Sequence, residues 1–178
     1  MSKRNTNRKY GNNVVALPPQ GKQLKIQSWL MSEGWQIGEA KSDQAVWAIT
    51  ATNPVGQVVV VLQLKQAPDL TVIQARMEFD AEFQSRLASL SSKIRQDLFW
   101  DIRFSLLNQN IDFEGMTEPL HTIALVHRVY DDGLSKDSFL QRFNRVKNGL
   151  FTVGWKFKRV FEESPFDLTG IALAGAVN

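Results

Sequence analysis

The chain has 178 residues, no cysteine, and a formal net charge of +3. Its length fits one domain that can bury a sizeable core without disulfides or metals. Without cysteine, disulfides, thiol nucleophiles and zinc–thiolate sites are excluded. The longest strongly apolar run, Val58 to Leu62, is far shorter than the roughly 20 residues of a transmembrane helix. The first residues lack the apolar region of a signal peptide, and we expect a cytoplasmic protein.

Positive charge is concentrated at the N-terminus. Residues 1–32 hold six basic residues and no acidic one, so the rest of the chain is mildly acidic. Residues 1–21 show neither helical nor strand periodicity and are predicted to form a flexible basic arm. Either this arm contacts an anionic partner such as nucleic acid or lipid, or it is a solvated tail with an apolar stretch, Val14 to Leu17, that could dock on the domain. Its basic residues are Lys3, Arg4, Arg8 and Lys9.

The next part of the chain predicts one helix and a series of short strands. The helix covers Gln23 to Gly34, with Gly34 as a residue that ends it. Asn53 to Gly56 has the Pro and Gly positions of a type I turn. Short turns between successive strands imply an antiparallel meander. The predicted strands are Gln36–Lys41, Ala45–Thr52, Gln57–Lys65 and Leu70–Phe79.

The second half of the chain predicts two long helices separated by two strands. The central helix runs from the N-cap Asp80 to Asn108, and the last helix starts after the N-cap Ser135. The sequence therefore predicts an α+β fold, in which an antiparallel β-meander sheet carries an N-terminal, a long central and a long C-terminal helix (α-β-β-β(-β)-α-β-β-α). We expect a single domain over residues 22–163 and an apolar C-terminal tail over residues 164–178. The two strands are Ile111–Phe113 and Leu120–Tyr130.

The last helix carries the most regular apolar pattern in the chain. Its apolar residues are spaced alternately four and three apart, which predicts one buried seam over about six turns. Basic residues lie together beside this seam, and they form either a binding face for an acidic partner or a solvated flank. The seam consists of Phe139, Phe143, Val146, Leu150, Val153, Phe157 and Val160; the basic residues are Arg142, Arg145, Lys156 and Arg159.

The central helix is predicted to have two apolar faces. Placed at about 100° per residue, Trp100, Phe104 and Leu107 form a stripe nearly opposite the one that faces the core. A helix lying on one sheet needs only one apolar face, so the second stripe needs a second cover. The last helix or the C-terminal tail, a second subunit, or a ligand could provide it. The core-facing stripe consists of Phe83, Leu87, Leu90, Ile94, Leu98, Ile102 and Leu106.

Catalytic and cofactor motifs are missing from the sequence. There is no GxSxG, Walker A, GxGxxG, HExxH or EF-hand pattern. His121 and His127 share one predicted strand but lie roughly 20 Å apart, too far to bind one metal ion. Asp97 and Asp101 could hold a divalent cation only with a further carboxylate, and ion pairing with nearby basic residues is the simpler expectation. We therefore expect no catalytic residues, no metal and no cofactor.

The element order, with stretches such as QLKIQSWLMSEGW, VVVVLQLKQ and LFWDIRFSLL, resembles the type III secretion chaperone-like fold, which includes YbjN-like domains of uncharacterised function. The resemblance covers about Gln23 to Phe161. It implies a twisted antiparallel sheet with helices packed on it, homodimerisation through the central helix, and binding of extended client segments. Trp100, Phe104 and Leu107 would then form the dimer interface. The basic arm and the apolar tail depart from those small, acidic chaperones.

These observations predict a non-enzymatic, cytoplasmic protein-binding module, chaperone- or adaptor-like, that acts as a homodimer and binds a client protein. A different class remains open, a nucleic-acid-associated protein that uses the basic arm. An enzyme of unknown reaction is a third alternative, although no set of residues in the sequence indicates one.

Overall fold

The computed structural model describes residues 19–161 and the strand 171–174. The rest of the predicted arm and tail lies outside the described residues. The elements in chain order are α1 (Pro19–Ser32), β1 (Gln36–Glu39), β2 (Ala45–Thr52), β3 (Val58–Leu64), β4 (Ala67–Phe79), α2 (Ala81–Ser89), α3 (Ser92–Asn108), β5 (Asp112–Glu114), β6 (Thr122–Tyr130), a short 3-10 turn (Asp131–Gly133), α4 (Lys136–Phe161) and β7 (Ile171–Ala174).

The strands form one antiparallel sheet in the order β1-β2-β3-β4-β6-β5. Strand β4 is long enough to pair with β3 along one edge and, further on, with β7 through Arg76 to Phe79. The first four strands are sequential neighbours, as the short turns predicted, and the predicted turn at Asn53 closes with a 3.0 Å hydrogen bond from Gly56 N to Asn53 O. The α+β fold with an antiparallel sheet is therefore confirmed.

Helix α1 begins at Pro19, four residues before the predicted start and inside the predicted arm. Proline suits the first helical position because its fixed φ is helical and the amide it lacks would have no partner there. The residues that α1 buries include Ile26 and Leu30, whereas Leu24 and Met31 are exposed. The buried side of this helix is therefore a narrow stripe, although apolar residues also occur outside it.

The predicted central helix is two helices, which corrects the single helix expected from Asp80 to Asn108. The Ser91 side chain accepts a hydrogen bond from Ile94 N and so starts α3 as an N-cap. Arg95 stabilises the break by donating to the carbonyl oxygens of Ala88 and Leu90. The predicted core stripe is interrupted at this point, and Ile94 is 45% exposed.

Helix α4 agrees closely with its predicted start and seam. Ser135 and Ser138 cap its N-terminus reciprocally, each hydroxyl accepting from the other residue's backbone N–H at 3.1 and 3.0 Å. Six of the seven predicted seam residues are buried, and the seventh, Val160, is partly buried against the same core. The seam packs on the sheet through aromatic contacts such as Phe157 with Phe79, with ring centroids 5.4 Å apart.

All four helices contribute to a single large core on one face of the sheet. Strand alternation explains this, because every second residue of a strand points to the same side. In β4 every second residue from Thr71 to Phe79 is buried. The other face of the sheet carries a separate, smaller apolar cluster formed by strand residues.

Candidate functional site

The second stripe of the central helix is exposed. Trp100 is 54% exposed, and Phe104 and Leu107 are each 57% exposed. The rings of Trp100 and Phe104 stack with centroids 5.6 Å apart, as expected for aromatic side chains one helical turn apart. The guanidinium of Arg103 lies over the Trp100 ring at 5.1 Å and is held by a 2.7 Å hydrogen bond from its Nη2 to Met116 O.

The described part of the chain does not cover this stripe. Helix α4 meets α3 along a flank, through an ion pair between Lys156 Nζ and Asp101 at 2.7 Å and a 3.0 Å hydrogen bond between Gln109 and Thr152. The described part of the C-terminal tail, β7, pairs with β4 in the sheet. Of the covers left open by the sequence, α4 and the described strand β7 therefore do not supply one, and the three side chains of the stripe are exposed.

Helix α4 adds two exposed aromatic residues that the sequence prediction missed. Phe151 is 38% and Trp155 is 67% exposed, and their rings stack at 5.7 Å. Both lie outside the apolar seam at a four-residue spacing, the same signal that revealed the stripe on α3. These five residues (Trp100, Phe104, Leu107, Phe151 and Trp155) are called the aromatic face below.

A groove of about 330 Å³ separates the two helices near the aromatic face. Asp101 in this groove forms an ion pair, as expected in preference to a cation site, and its partner is Lys156 of the neighbouring helix α4. Lys156 is correspondingly not a free cation for an acidic partner. The groove is lined by Ile94, Asp97, Leu98, Asp101, Lys156, Arg159 and Val160.

The basic residues predicted on the last helix lie in two separate places in the structure. Arg142 and Arg145 lie near His127 of β6, away from the groove that holds Lys156 and Arg159. Arg142 donates to Ser138 O of its own helix at 3.1 Å. The arm residues Lys3, Arg4, Arg8 and Lys9 are outside the described residues.

No arrangement typical of an active site is found in the described ranges. A second cavity of about 320 Å³ is bordered by α2 and the loop before β6, and its charged groups, Arg95 and Glu118, pair with each other at 3.2 Å. Asp112 pairs with Arg128 instead of joining the other carboxylates near β5. No group of three residues that could bind a metal occurs in residues 19–161, and no helix there is long and apolar enough to cross a membrane.

His127 is the titratable group with a shifted pKa in this region. Burial lowers the pKa of His127 below 6.5, and the charges of Arg142 and Arg145 lower it further, against the opposing effects of a backbone hydrogen bond with Arg128 and of the charge of Asp112. Its Nδ1 accepts from Arg128 N at 3.0 Å, while Nε2 is buried without a hydrogen-bond partner among the described residues.

Because the folded state disfavours the charged imidazole, the unfolded state binds more protons once the pH falls below about 6.5. We expect the free energy of unfolding to decrease with falling pH in this window until the pH reaches the folded-state pKa of His127. In His127→Gln this decrease should be smaller. Urea denaturation from pH 7.5 to 5 tests it, with His121→Gln as the control for removing one histidine. An unchanged pH dependence in His127→Gln would contradict the assignment.

Residues 23–157 match an uncharacterized conserved protein family, DUF2299. The chain belongs to the DUF2299 family. It is also similar to the crystal structure of an uncharacterized protein from Methanothermobacter thermautotrophicus, with 25% sequence identity and a TM-score of 0.71 over 78% of this chain and 98% of that chain. No curated protein matches the sequence.

The DUF2299 match covers most of α1, the six-strand path of the sheet and most of α4. All five residues of the aromatic face lie inside the matched range, whereas residues 1–22 lie outside it. The descriptions of the family and of the solved relative give no activity, so fold likeness does not carry a function here. The feature of this chain that bears on function is the exposed aromatic face.

Proposed function

We propose that this DUF2299 protein is a non-enzymatic, cytoplasmic protein-binding module, chaperone- or adaptor-like, that acts as a homodimer and binds a segment of a client protein. The aromatic face carries this proposal. Its five large apolar side chains are exposed on two helices whose opposite sides pack into the large core. The resemblance to type III secretion chaperones, in which the central helix often builds the dimer interface, supports the same assignment.

The cost of leaving the aromatic face in water favours a protein partner. Burial of one such side chain is worth roughly 1.5–3 kcal/mol, and large contiguous apolar patches are rare on monomeric proteins. Trp, Phe and Arg are enriched in protein interfaces, and binding hot spots favour Trp and Arg. Trp100 with Arg103 over its ring fits this composition. A small-molecule site would instead be concave.

The charges beside the stripe on α3 support a second copy as the partner. Asp97 is exposed on one flank of Trp100, beside the Asp101 that pairs with Lys156, and Arg103 lies on the other flank. A two-fold axis parallel to α3 would place Asp97 of one copy opposite Arg103 of its partner. Such an interface is self-complementary in charge as well as in apolar character, which a two-fold dimer requires.

A charge placed in the aromatic face should break the dimer. We expect wild-type protein to have twice the 20.2 kDa mass of the chain in light scattering at micromolar concentration, and Trp100→Glu to be a folded monomer. Loss of an interface hot spot is worth at least about 2 kcal/mol, so the dimer Kd should rise at least about 30-fold. Leu24→Glu is the matched control, since Leu24 is a similarly exposed apolar residue on α1.

The same experiment can reject the proposal. A monomeric wild-type protein, or a Trp100→Glu variant that keeps the dimer mass and Kd, would exclude the aromatic face as the dimer interface. The client is tested separately, by pull-down with mass spectrometry from cell extract with wild type and with the folded Leu24→Glu control. A partner that is nucleic acid instead of protein would favour the alternative function.

A further inference from the structure

The face of the sheet opposite the helices has its own apolar cluster. Strand alternation separates these residues from the large core, and neighbouring strands place them in rows: Leu62 of β3 pairs with Ala48 of β2 and with Val72 of β4. This set is called the second-face cluster and consists of Ala45, Ala48, Val60, Leu62, Leu70, Val72 and Val126.

The second-face cluster is buried. Val60 and Leu62 are each 2% exposed, although one side of a sheet layer faces water unless another layer covers it. Every described member of the cluster is a strand residue, and the partly buried neighbours Ala40, Leu64 and Ala67 belong to strands or their connections. The buried residues of the four helices belong to the other core. Its cover must therefore lie outside the described residues 19–161 and 171–174.

The second-face cluster lies toward one end of the sheet. Ala45 pairs with Leu64, and Leu64 with Ala67, at the end where β3 turns into β4. At the opposite end, the same face carries polar residues such as Glu78, which pairs with Thr122. A covering segment therefore has to enter near the β3–β4 turn.

The described chain begins at this same end. Lys22, in the first turn of α1, donates from Nζ to Pro68 O at 3.0 Å and to Asp131 Oδ1 at 2.5 Å. Pro68 directly follows Ala67 and lies two residues before Leu70 of the second-face cluster. The first described residue, Pro19, is thus one helical turn from a lysine that contacts the apolar end of the second face.

The sequence immediately before α1 is apolar. Val14 to Leu17 form the run VVAL, and Val14 is five residues before Pro19, a distance of up to about 17 Å for extended chain. Packed layers are about 10 Å apart, so this length covers the single step from the strand ends, where Lys22 contacts Pro68, to a layer on the second face.

The described C-terminal elements lie elsewhere. Strand β7 pairs with Arg76 to Phe79, toward the end of β4 that is far from the β3–β4 turn. Helix α4 ends at Phe161, whose ring lies 5.8 Å from that of Phe83 in α2. Phe161 and Ile171, the described residues on either side of 162–170, are therefore away from that turn, and residues 175–178 follow Ala174, which pairs with Arg76.

We propose that the segment Val14–Leu17 packs on the second-face cluster and covers it as a third layer of the domain. This contact would hold the basic residues Lys3, Arg4, Arg8 and Lys9 on the side of the sheet opposite the aromatic face. A partner bound by the basic residues would then not compete with one bound by the aromatic face. The inference does not depend on the function proposed above.

The absence of native cysteine allows a direct test by thiol labelling in the full-length chain. In a Val60→Cys background, labelling should be slow, and the added pair Val14→Asp and Val15→Asp should accelerate it at least tenfold. The matched control pair Asn12→Asp and Asn13→Asp should leave it slow. Unchanged slow labelling in the valine pair would overturn the proposal.

Two other occupants give different results, and either one would overturn the proposal. Labelling that accelerates on dilution of the otherwise wild-type protein would identify a second copy as the cover. Labelling that accelerates with Phe166→Asp and Leu168→Asp, but not with the valine pair, would identify the C-terminal segment.

A cross-linking test does not depend on the folding of the aspartate variants. Val15→Cys should form a disulfide with Leu62→Cys or with Val72→Cys under mild oxidation, and the oxidised protein should run as a monomer on a non-reducing gel, which shows that the disulfide is intramolecular. Val15→Cys with Ile73→Cys is the control, because Ile73 neighbours Val72 but faces the helices. Failure of both second-face pairs to cross-link faster than the control would overturn the proposal.

Discussion

Asp131→Ala should destabilise the domain by about 3–5 kcal/mol, because it would leave the ammonium of Lys22 buried without its counter-charge. The Lys22 side chain is 2% exposed and that of Asp131 is 20% exposed. The remaining contact of the ammonium would be one hydrogen bond to Pro68 O. Taking a charge out of water costs several kcal/mol, and a single neutral acceptor offsets only part of this.

Lys22→Met should cost much less, about 1.5 kcal/mol or less. Methionine has a similar length and introduces no charge into the core. Asp131 is partly exposed and can be hydrated, and Pro68 O keeps a second donor in Gln63. Urea denaturation at pH 7 would measure both variants, with Asp132→Ala at the exposed neighbouring position as a control expected within about 0.5 kcal/mol of wild type. A loss in Lys22→Met as large as in Asp131→Ala would contradict this account.

The periodic elements could be predicted from the sequence because their burial follows the repeat of one helix or strand. The seam of α4 and the alternation of β4 are the best examples, and both were confirmed. Lys22 could not be predicted in this way. It occupies a buried position four residues before Ile26, and its partner Asp131 lies 109 residues further along the chain. Only the tertiary fold makes that position suitable for a lysine.

The break between α2 and α3 was missed for a related reason. Apolar spacing continues through Leu90 and Ile94 as if one helix were present, so the pattern alone favours continuity. Ser91, however, is as good an N-cap for α3 as Asp80 is for α2. Arg95 can also donate hydrogen bonds to the carbonyl groups that the break leaves without helical partners. These local capping interactions outweigh the continuous apolar spacing, so the chain forms two helices instead of one.

The aromatic face was only half predictable. Trp100, Phe104 and Leu107 were recognised because the core stripe of α3 already accounted for the opposite side of the helix. Phe151 and Trp155 were missed because the prediction for α4 followed its regular seam, and both residues lie outside that seam. Only the folded structure shows that the chain leaves both aromatic pairs exposed.

Two aromatic residues near the end of α4 lie on opposite sides of the helix. Phe157 belongs to the core, and Trp155 belongs to the aromatic face. Phe157 is fully buried and packs edge-on against Phe83 at 5.1 Å, whereas Trp155, two residues earlier, is on the opposite side of the helix and 67% exposed. Phe157→Ala would leave a cavity in the middle of the seam and should destabilise the domain by about 3–5 kcal/mol. Trp155→Ala should change the free energy of unfolding of the monomer by no more than about 0.5 kcal/mol.

The paired variants make the assignment of both residues testable. Unfolding of each variant is followed in urea in the Trp100→Glu background, so that dimerisation does not contribute to the measured stability. Separately, in the otherwise wild-type chain, Trp155→Ala should weaken the dimer in light scattering, because it removes part of the aromatic face. Equal stability losses in Phe157→Ala and Trp155→Ala would contradict the packing of α4. A Trp155→Ala dimer as tight as wild type would remove α4 from the interface and leave the stripe on α3 as its apolar centre.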